Sequence, residues 1–171
     1  MTFVDGENLA MRYGAMLQSG RYVARAETKY LKDIYVWHNV LGTDNVVDQG
    51  GIMRTHYYTS VQGDHPLVET VSKELKAAGV SAPRVFKKAA GGRSKRVDVS
   101  LATDMLRHAA HKNFDIGVLV TGDEDFVPLV EAVQAEGCGV HVWALPDGLS
   151  PRLVHSADEF VDLTPYLLDT V

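Results

Sequence analysis

Three consecutive acidic residues, Asp123, Glu124 and Asp125, lie shortly after the unbroken apolar run 116–120. An apolar run of this length between turn signals predicts a strand that is covered on both faces. A helical pattern follows the acids at once, with Pro128 in its first turn, where a missing N–H costs little. The acids therefore lie in the turn between the carboxyl end of a buried strand and a helix, which is where open α/β sheets bind their ligands.

Helix capping explains part of this acidic turn. Asp125 is suited to cap the helix, and the helix dipole favours an acid such as Glu124 in the first turn. Asp123 lies before that cap and is left unexplained, and carboxylates held close together repel one another unless a cation lies among them. A cation site is therefore the better explanation for Asp123.

The amino-terminal segment repeats the arrangement of strand, acidic turn and helix. The short apolar strand predicted over 1–4 leads directly into Asp5, and a helical pattern begins after Asn8. A capping role explains Asp5 as well as a site role does, and Asn8 can bond either the turn backbone or a neighbouring carboxylate. If the first and central strands are neighbours in a parallel sheet, Asp5 and Asp123 face each other.

Two further acids lie in the helix predicted over 97–112. Counting back one helical turn from Ala102 places Asp98 at the start of the apolar stripe. A carboxylate is rarely buried without a partner, so this position favours a functional role, although a first-turn acid usually faces solvent. Asp104 falls on the polar side of the helix with Arg107, His108 and His111. An ion pair at that spacing is the simplest explanation, and a role in the site is the alternative.

Strands and helices alternate along the whole sequence. Apolar or β-branched runs predict strands over 1–4, 52–60, 80–87, 116–120 and 139–145, and a last short strand or ordered tail over 160–168. Helical spacing predicts helices after Asn8, over 27–41, from Leu67 to a closing Gly79, over 97–112, after Asp125 and over 149–155, with a loop over 42–51. The alternation predicts a single α/β domain over 1–171, a three-layer α/β/α sandwich with a central, mainly parallel, Rossmann-like sheet.

The composition is that of an ordinary soluble globular protein, with 171 residues, 46% hydrophobic and 23% charged. The one cysteine, Cys138, excludes an internal disulfide and a cysteine-rich zinc site. No apolar run approaches the ~20 residues of a membrane span and no signal-like segment is found, so we expect a cytoplasmic protein without a membrane partner. A net charge of −5 argues against nucleic-acid binding over the whole surface but allows a local basic patch.

Such a patch lies between residues 84 and 96, which carry six positive charges within thirteen positions. The segment 89–96 is rich in glycine and small residues without an apolar period, so it predicts an exposed loop, and most basic loops are simply solvated. Its glycine spacing matches neither a P-loop nor a dinucleotide fingerprint. Beside clustered acids, however, the cations of this loop would supply contacts to phosphates.

The acids of the two turns and of the helix start together predict a cluster of three or four carboxylates. Clustered hard oxygen ligands suit Mg²⁺ or Mn²⁺. Such ions can clamp a phosphodiester, generate hydroxide and stabilise the leaving oxygen. The chemistry expected at this cluster is therefore phosphodiester hydrolysis.

Three motifs make the sequence similar to a known family: FVDGEN at 3–8, KRVDVSLATDML at 95–106 and VTGDEDFVPLV at 120–130. In this order they resemble the NYN domains of the PIN-like nuclease superfamily, in particular the LabA-like branch, over roughly residues 1–165. The resemblance implies a PIN-like α/β/α sandwich and an Mg²⁺- or Mn²⁺-dependent nuclease. It also implies a nucleic-acid partner, RNA rather than DNA, and a homodimer is compatible with it.

The resemblance assigns roles to individual residues. It implies four catalytic and metal-binding acids: Asp5, Asp98, Asp123 and Asp125. Some relatives space the last acid differently from Asp125, and Asp104 matches a further family position. The expected substrate-binding residues are two at polar accessory positions of the family and three cations of the basic loop, which would hold the backbone without reading sequence: Asn8, Thr121, Arg93, Lys95 and Arg96.

Three other interpretations keep part of this pattern. A non-catalytic RNA-binding or regulatory protein, as some LabA-like members are, would keep the fold and the basic loop but would not cleave in Mn²⁺. A Toprim-like domain would need its first acid as a Glu in a glycine turn, for which Glu7 is a poor candidate, and would give Asp98 no role. A receiver or phosphatase-like domain would need a Lys after the last strand or an Asp-x-Asp motif after the first, and segments 143–146 and 5–7 supply neither.

Overall fold

The structure is a computed structural model that describes residues 1–42, 54–88 and 95–171, with only the backbone described at Lys95. Its strands are β1 (Thr2–Asp5), β2 (Tyr22–Ala24), β3 (Lys29–Leu31), β4 (Tyr35–Trp37), β5 (Thr55–Val61), β6 (Ala82–Lys87), β7 (Ile116–Val120), β8 (Gly139–Ala144), β9 (Glu159–Asp162) and β10 (Leu168–Thr170). Its helices are α1 (Gly6–Gln18), α2 (His65–Ala77), α3 (Lys95–Ala110), α4 (Val127–Ala135), α5 (Pro151–Ser156) and α6 (Thr164–Leu167).

Within the described residues, six strands form one parallel sheet in the order β6-β5-β1-β7-β8-β9. β1 pairs with β5 on one side and with β7 on the other, which confirms that the first and central strands are neighbours. The strand order reverses at β1, because the chain builds outward to β6 and then crosses back through α3 to β7. The carboxyl ends of β1 and β7 therefore lie side by side at the switch point, where sheets of this kind bind ligands.

Two apolar cores cover the two faces of this sheet. Adjacent β1 residues point into different cores, Val4 into one and Phe3 into the other. The Val4 core holds residues of α1, α2 and the β3–β4 hairpin, and the Phe3 core holds residues of α3, α4 and α5. The predicted three-layer α/β/α sandwich is confirmed. No helix among the described residues is long and apolar enough to cross a lipid bilayer.

The helix predicted over 27–41 is wrong. The segment forms an antiparallel hairpin of β3 and β4, followed by a 3₁₀ turn at Asn39–Leu41. The alternation that would have indicated a strand is absent, because Tyr35, Val36 and Trp37 are buried at three consecutive positions. β4 packs against α1 on one side and is bonded to Tyr57 of β5, so it shows no alternation of apolar and polar residues.

Other element boundaries differ from the expectations to a smaller extent. The strand predicted over 52–60 is β5, and the loop predicted over 42–51 lies outside the described residues apart from Gly42. The segment 160–168 contains the end of β9 and all of α6, and β10 then pairs antiparallel with β2. The predicted basic loop ends earlier than expected because α3 already begins at Lys95, and positions 89–94 lie outside the described residues.

Candidate active site

Asp5 ends β1 and is buried, with 3% of its surface exposed. Its Oδ1 accepts a hydrogen bond from the Asn8 N–H at 3.1 Å and so caps α1, and its Oδ2 accepts one from the Thr121 hydroxyl at 3.1 Å. Burial raises the pKa of Asp5 to about 7; these two hydrogen bonds oppose the rise, and the negative charge of Asp98 adds to it. Asp5 therefore combines a capping role with a carboxyl group that a cation would stabilise in its charged form.

The tight turn after Asp5 requires a glycine at position 6. A Cβ on Gly6 would lie 2.3 Å from Cε1 of the Tyr57 ring and 2.9 Å from the Tyr58 carbonyl oxygen. The backbone of α1 thereby approaches β5 closely, and the acid that precedes the glycine is held at the carboxyl edge of the sheet.

Hydrogen bonds join the turns that follow β1 and β7. The Thr121 hydroxyl donates to Asp5 and accepts from the Asp123 N–H at 3.3 Å. The Asn8 side-chain carbonyl accepts from the Gly122 N–H at 3.1 Å. Asn8 and Thr121 thus lie beside Asp5 and fix both acidic turns relative to each other.

Asp123, rather than Asp125, is the residue that caps the helical segment after β7. Its Oδ1 accepts the Asp125 N–H at 3.1 Å at the start of the 3₁₀ turn Glu124–Phe126, which precedes α4. Asp125 is exposed, and Glu124 makes an ion pair with Arg152 at 2.7 Å. The structure therefore brings Asp123 to the cleft that Asp5 lines, whereas Asp125 does not line it.

Asp98 lies in the first turn of α3 and is exposed. The expectation that Asp98 starts a buried stripe is wrong. Ala102 is only partly buried at the margin of the apolar face, and the residue one helical turn before it, Asp98, lies outside the core. The buried stripe begins one position earlier, at Val97, and continues through Leu101, Met105 and Ala109. Asp98 nevertheless lines the cleft together with Asp5 and Asp123.

The buried acid of α3 is Asp104, with 7% of its surface exposed. Its carboxylate accepts hydrogen bonds from the Tyr58 hydroxyl at 3.0 Å and from Arg107 at 2.6 Å, and Arg84 lies 3.4 Å away. The predicted ion pair is confirmed, with Arg107 as the partner, but the expected polar position is wrong because these partners allow the carboxylate to be buried. Asp104 does not line the cleft and instead joins α3 to β5 and β6.

The cleft at the carboxyl edge of the sheet has a volume of about 470 Å³. It is also lined by residues that the sequence did not assign to the site: Glu7, Lys32, Asp33, Ser60 and Lys88. Glu7 accepts a hydrogen bond from the Ser60 hydroxyl and lies 3.6 Å from the Lys88 ammonium group. Glu7 could have been found from the sequence, because it lies in the acidic turn at 5–8. Lys32 could not, because its segment was expected to be helical.

The donors of this cleft have the chemistry of an Mg²⁺ or Mn²⁺ site. Carboxylates from β1, from α3 and from the turn after β7 provide hard oxygen ligands, and Mg²⁺ characteristically keeps several water ligands of its own. Among the described residues, however, no three Asp, Glu, His or Cys side chains are close enough to share one ion. The donor types therefore fit such an ion, and water would have to complete its coordination.

The basic residues of the sequence prediction are only partly described. Arg93 lies outside the described residues, as does the side chain of Lys95. Arg96 is exposed in the first turn of α3, with its guanidinium carbon 5.8 Å from the centre of the Phe86 ring. That contact is within the range of a cation–π interaction.

The family model of the NYN domain matches residues 1–165 of this chain. A crystal structure of a protein of unknown function from Vibrio parahaemolyticus superposes with a TM-score of 0.64 at 21% identity, covering 98% of this chain and 94% of that chain. This likeness shows a shared fold. No significant match is found among curated proteins. The chain therefore belongs to the NYN domain family of the PIN-like nuclease superfamily.

Proposed function

We propose that the protein is an Mg²⁺- or Mn²⁺-dependent nuclease that hydrolyses phosphodiester bonds in RNA, either single-stranded or structured. NYN domains are generally nucleases, which supports a hydrolytic function. The observation that carries the proposal is the single cleft that Asp5, Asp98 and Asp123 line together. The pKa of Asp5 is raised to about 7, first by burial and further by the charge of Asp98, so a bound cation would stabilise the charged form of this group.

The acids have distinct roles in this proposal. Asp5, Asp98 and Asp123 would hold the ion, partly through water molecules. The chemistry that such an ion would supply at this site is a lower pKa for a bound water molecule and an offset of charge on the phosphate. Asp125 acts through its backbone N–H, which fixes the Asp123 carboxylate, and Thr121 orients Asp5 through its hydroxyl.

The residues proposed to contact the substrate are positively charged or polar side chains. Arg93, Lys95 and Arg96 would bind phosphates of the RNA backbone without reading its sequence, and Asn8 would keep the two acidic turns aligned around the reacting phosphate. Binding through such contacts weakens as salt rises.

The test is cleavage of labelled single-stranded RNA, single-stranded DNA and hairpin RNA in Mg²⁺, Mn²⁺, Ca²⁺ or chelator. We expect cleavage of RNA in Mg²⁺ or Mn²⁺ and a loss of about two orders of magnitude or more for Asp5→Asn. Asp115→Asn is the matched control, because Asp115 is an exposed acid beside the amino end of β7, away from the cleft. Cleavage that persists in chelator, or equal activity of Asp5→Asn and wild type, would refute the metal-dependent mechanism.

A catalytically weak RNA-binding protein is the second candidate. It is favoured by the absence, among the described side chains, of three acids close enough to share an ion. This function predicts salt-dependent RNA binding with no cleavage in Mn²⁺ at any substrate tested, so the same assay distinguishes the two.

A further inference from the structure

The tip of the β3–β4 hairpin reaches the acidic cleft. Lys32, Asp33 and Ile34 all line the cleft, although they lie far in sequence from its acids. The tip is a tight turn in which the Ile34 N–H donates to the Leu31 carbonyl at 3.0 Å. Asp33 has φ +58, a left-handed conformation typical of a short hairpin loop.

Side chains of the sheet hold this hairpin in place. The Tyr57 hydroxyl donates to the Val36 carbonyl at 2.8 Å and accepts from the Val36 N–H at 3.1 Å. The Thr59 hydroxyl donates to the Ile34 carbonyl, directly beside the tip. β5 thereby satisfies backbone groups of β4 that have no ladder partner on that side, and the position of the tip relative to the cleft is fixed by the central sheet.

The hairpin and α3 enter the site from different faces of the sheet. β4 belongs to the core that contains α1, whereas α3, which carries Asp98, covers the opposite face. The cleft at the carboxyl edge therefore lies between Lys32 on one side and Asp98 on the other, with Asp5 between them at the end of β1.

The charges that line the cleft indicate which residue would contact a phosphate group of a ligand. Two lysines line a cleft that is otherwise rich in acids. Lys88 is paired with Glu7 at 3.6 Å, whereas the ion pairs found among the described residues do not include Lys32. Since acids repel a polyanion, a ligand phosphate entering this cleft would gain most from the ammonium group of Lys32.

We infer that Lys32 contacts the phosphate backbone of the nucleic acid and that the β3–β4 hairpin is a substrate-positioning wall of the active site. This inference rests on the proposed nuclease function and adds a residue that the NYN motifs do not contain. Lys32 contacts substrate beside the acids and not the reacting atoms, so it acts on substrate affinity more than on the chemical step.

The test compares Lys32→Ala with Lys29→Ala and Lys32→Arg. Lys29 is an exposed lysine on β3 of the same hairpin that does not line the cleft, and arginine at position 32 keeps the charge. Binding of a fluorescent single-stranded RNA is measured in Ca²⁺ over a salt series, and cleavage is measured in Mn²⁺.

For Lys32→Ala we expect roughly fivefold weaker binding and a log–log salt slope reduced by about 0.7, the value for one phosphate contact to a single strand. KM should rise with little change in kcat, while Lys29→Ala and Lys32→Arg keep the wild-type values. Equal affinity and salt slope for Lys32→Ala and wild type would overturn the inference and leave the nuclease function standing. A wild type that binds RNA without cutting it would overturn the nuclease function. The salt slope of Lys32→Ala would then still show whether Lys32 contacts a phosphate. A wild type that binds no nucleic acid would overturn both.

Discussion

Asp5→Asn tests the electrostatics of the candidate site through stability alone. The pKa of Asp5 is about 7 in the folded protein, compared with an ordinary value of 3.8. Between these two values the Asp5 carboxyl keeps a proton in the folded chain that it has lost in the unfolded chain, so the contribution of Asp5 to the stability of the metal-free protein falls as pH rises through this window. Each pH unit of pKa difference corresponds to about 1.36 kcal/mol, so the full loss is about 4 kcal/mol.

Asparagine keeps the shape of Asp5 without its charge, and its amide oxygen can still accept the Asn8 N–H. Asp5→Asn should therefore match the wild type near pH 4 and exceed it by up to about 4 kcal/mol above pH 7. Urea unfolding in the presence of chelator, measured across this range, gives the two curves. Asp125→Asn is the control and should follow the wild-type curve, because Asp125 is exposed. A stability difference that is the same at both ends of the range would refute the reasoning, since only a charge effect depends on pH.

Three other changes follow from contacts of the described residues. Adding Mg²⁺ or Mn²⁺ at about one hundred times its dissociation constant should stabilise the wild type by about 2.7 kcal/mol and so raise its melting temperature. The rise should be smaller for Asp123→Asn, and an equal rise would show that Asp123 does not bind the ion. Tyr57→Phe leaves the N–H and carbonyl of Val36 without their buried partner and should lower the free energy of unfolding, measured in urea, by about 1–3 kcal/mol. Tyr35→Phe should lower it by less, because the Tyr35 hydroxyl contacts Glu74 in a partly buried position. Burial lowers the pKa of His56 to about 4, so the contribution of His56 to stability should fall by up to about 3 kcal/mol as pH drops from 6.5 towards 4. The stability difference between wild type and His56→Phe should change by that amount over this range, and a difference that does not depend on pH would contradict the prediction.

The acid-bearing turns could be predicted because their signals are local. An unbroken apolar run such as 116–120 suits a strand covered on both faces, and the turn after it places its polar residues at a known edge of the sheet. The same logic located Asp5 after β1. Since both strands are parallel neighbours, two short stretches far apart in sequence were enough to bring Asp5 and Asp123 to one cleft.

Burial of the α3 acids could not be predicted, because it depends on distant partners. Asp98 and Asp104 both lie near the apolar face of the helix, and spacing alone favoured the wrong one as the buried acid. Asp104 is buried because the Tyr58 hydroxyl and two arginines satisfy its oxygens, and Tyr58 comes from a different strand. Asp98, one helical turn from the start of α3, faces the cleft instead.

The hairpin shows why motifs describe only part of this site. Its strand β4 packs against α1 and is buried at all three positions, so its residues carry no alternation that would distinguish the strand from a helix. The motifs contain the carboxylates, which attract a cation, but a cleft of carboxylates repels the polyanion that a nuclease must hold. In a chain of net charge −5, cations at the edge of that cleft have to offset this repulsion locally. Lys32 supplies such a charge from a segment that has no family motif, and Tyr57 and Thr59 of the central sheet determine where it lies. In this protein, changes at the tip of the hairpin should therefore alter substrate affinity, whereas changes of the acids should alter the chemical step.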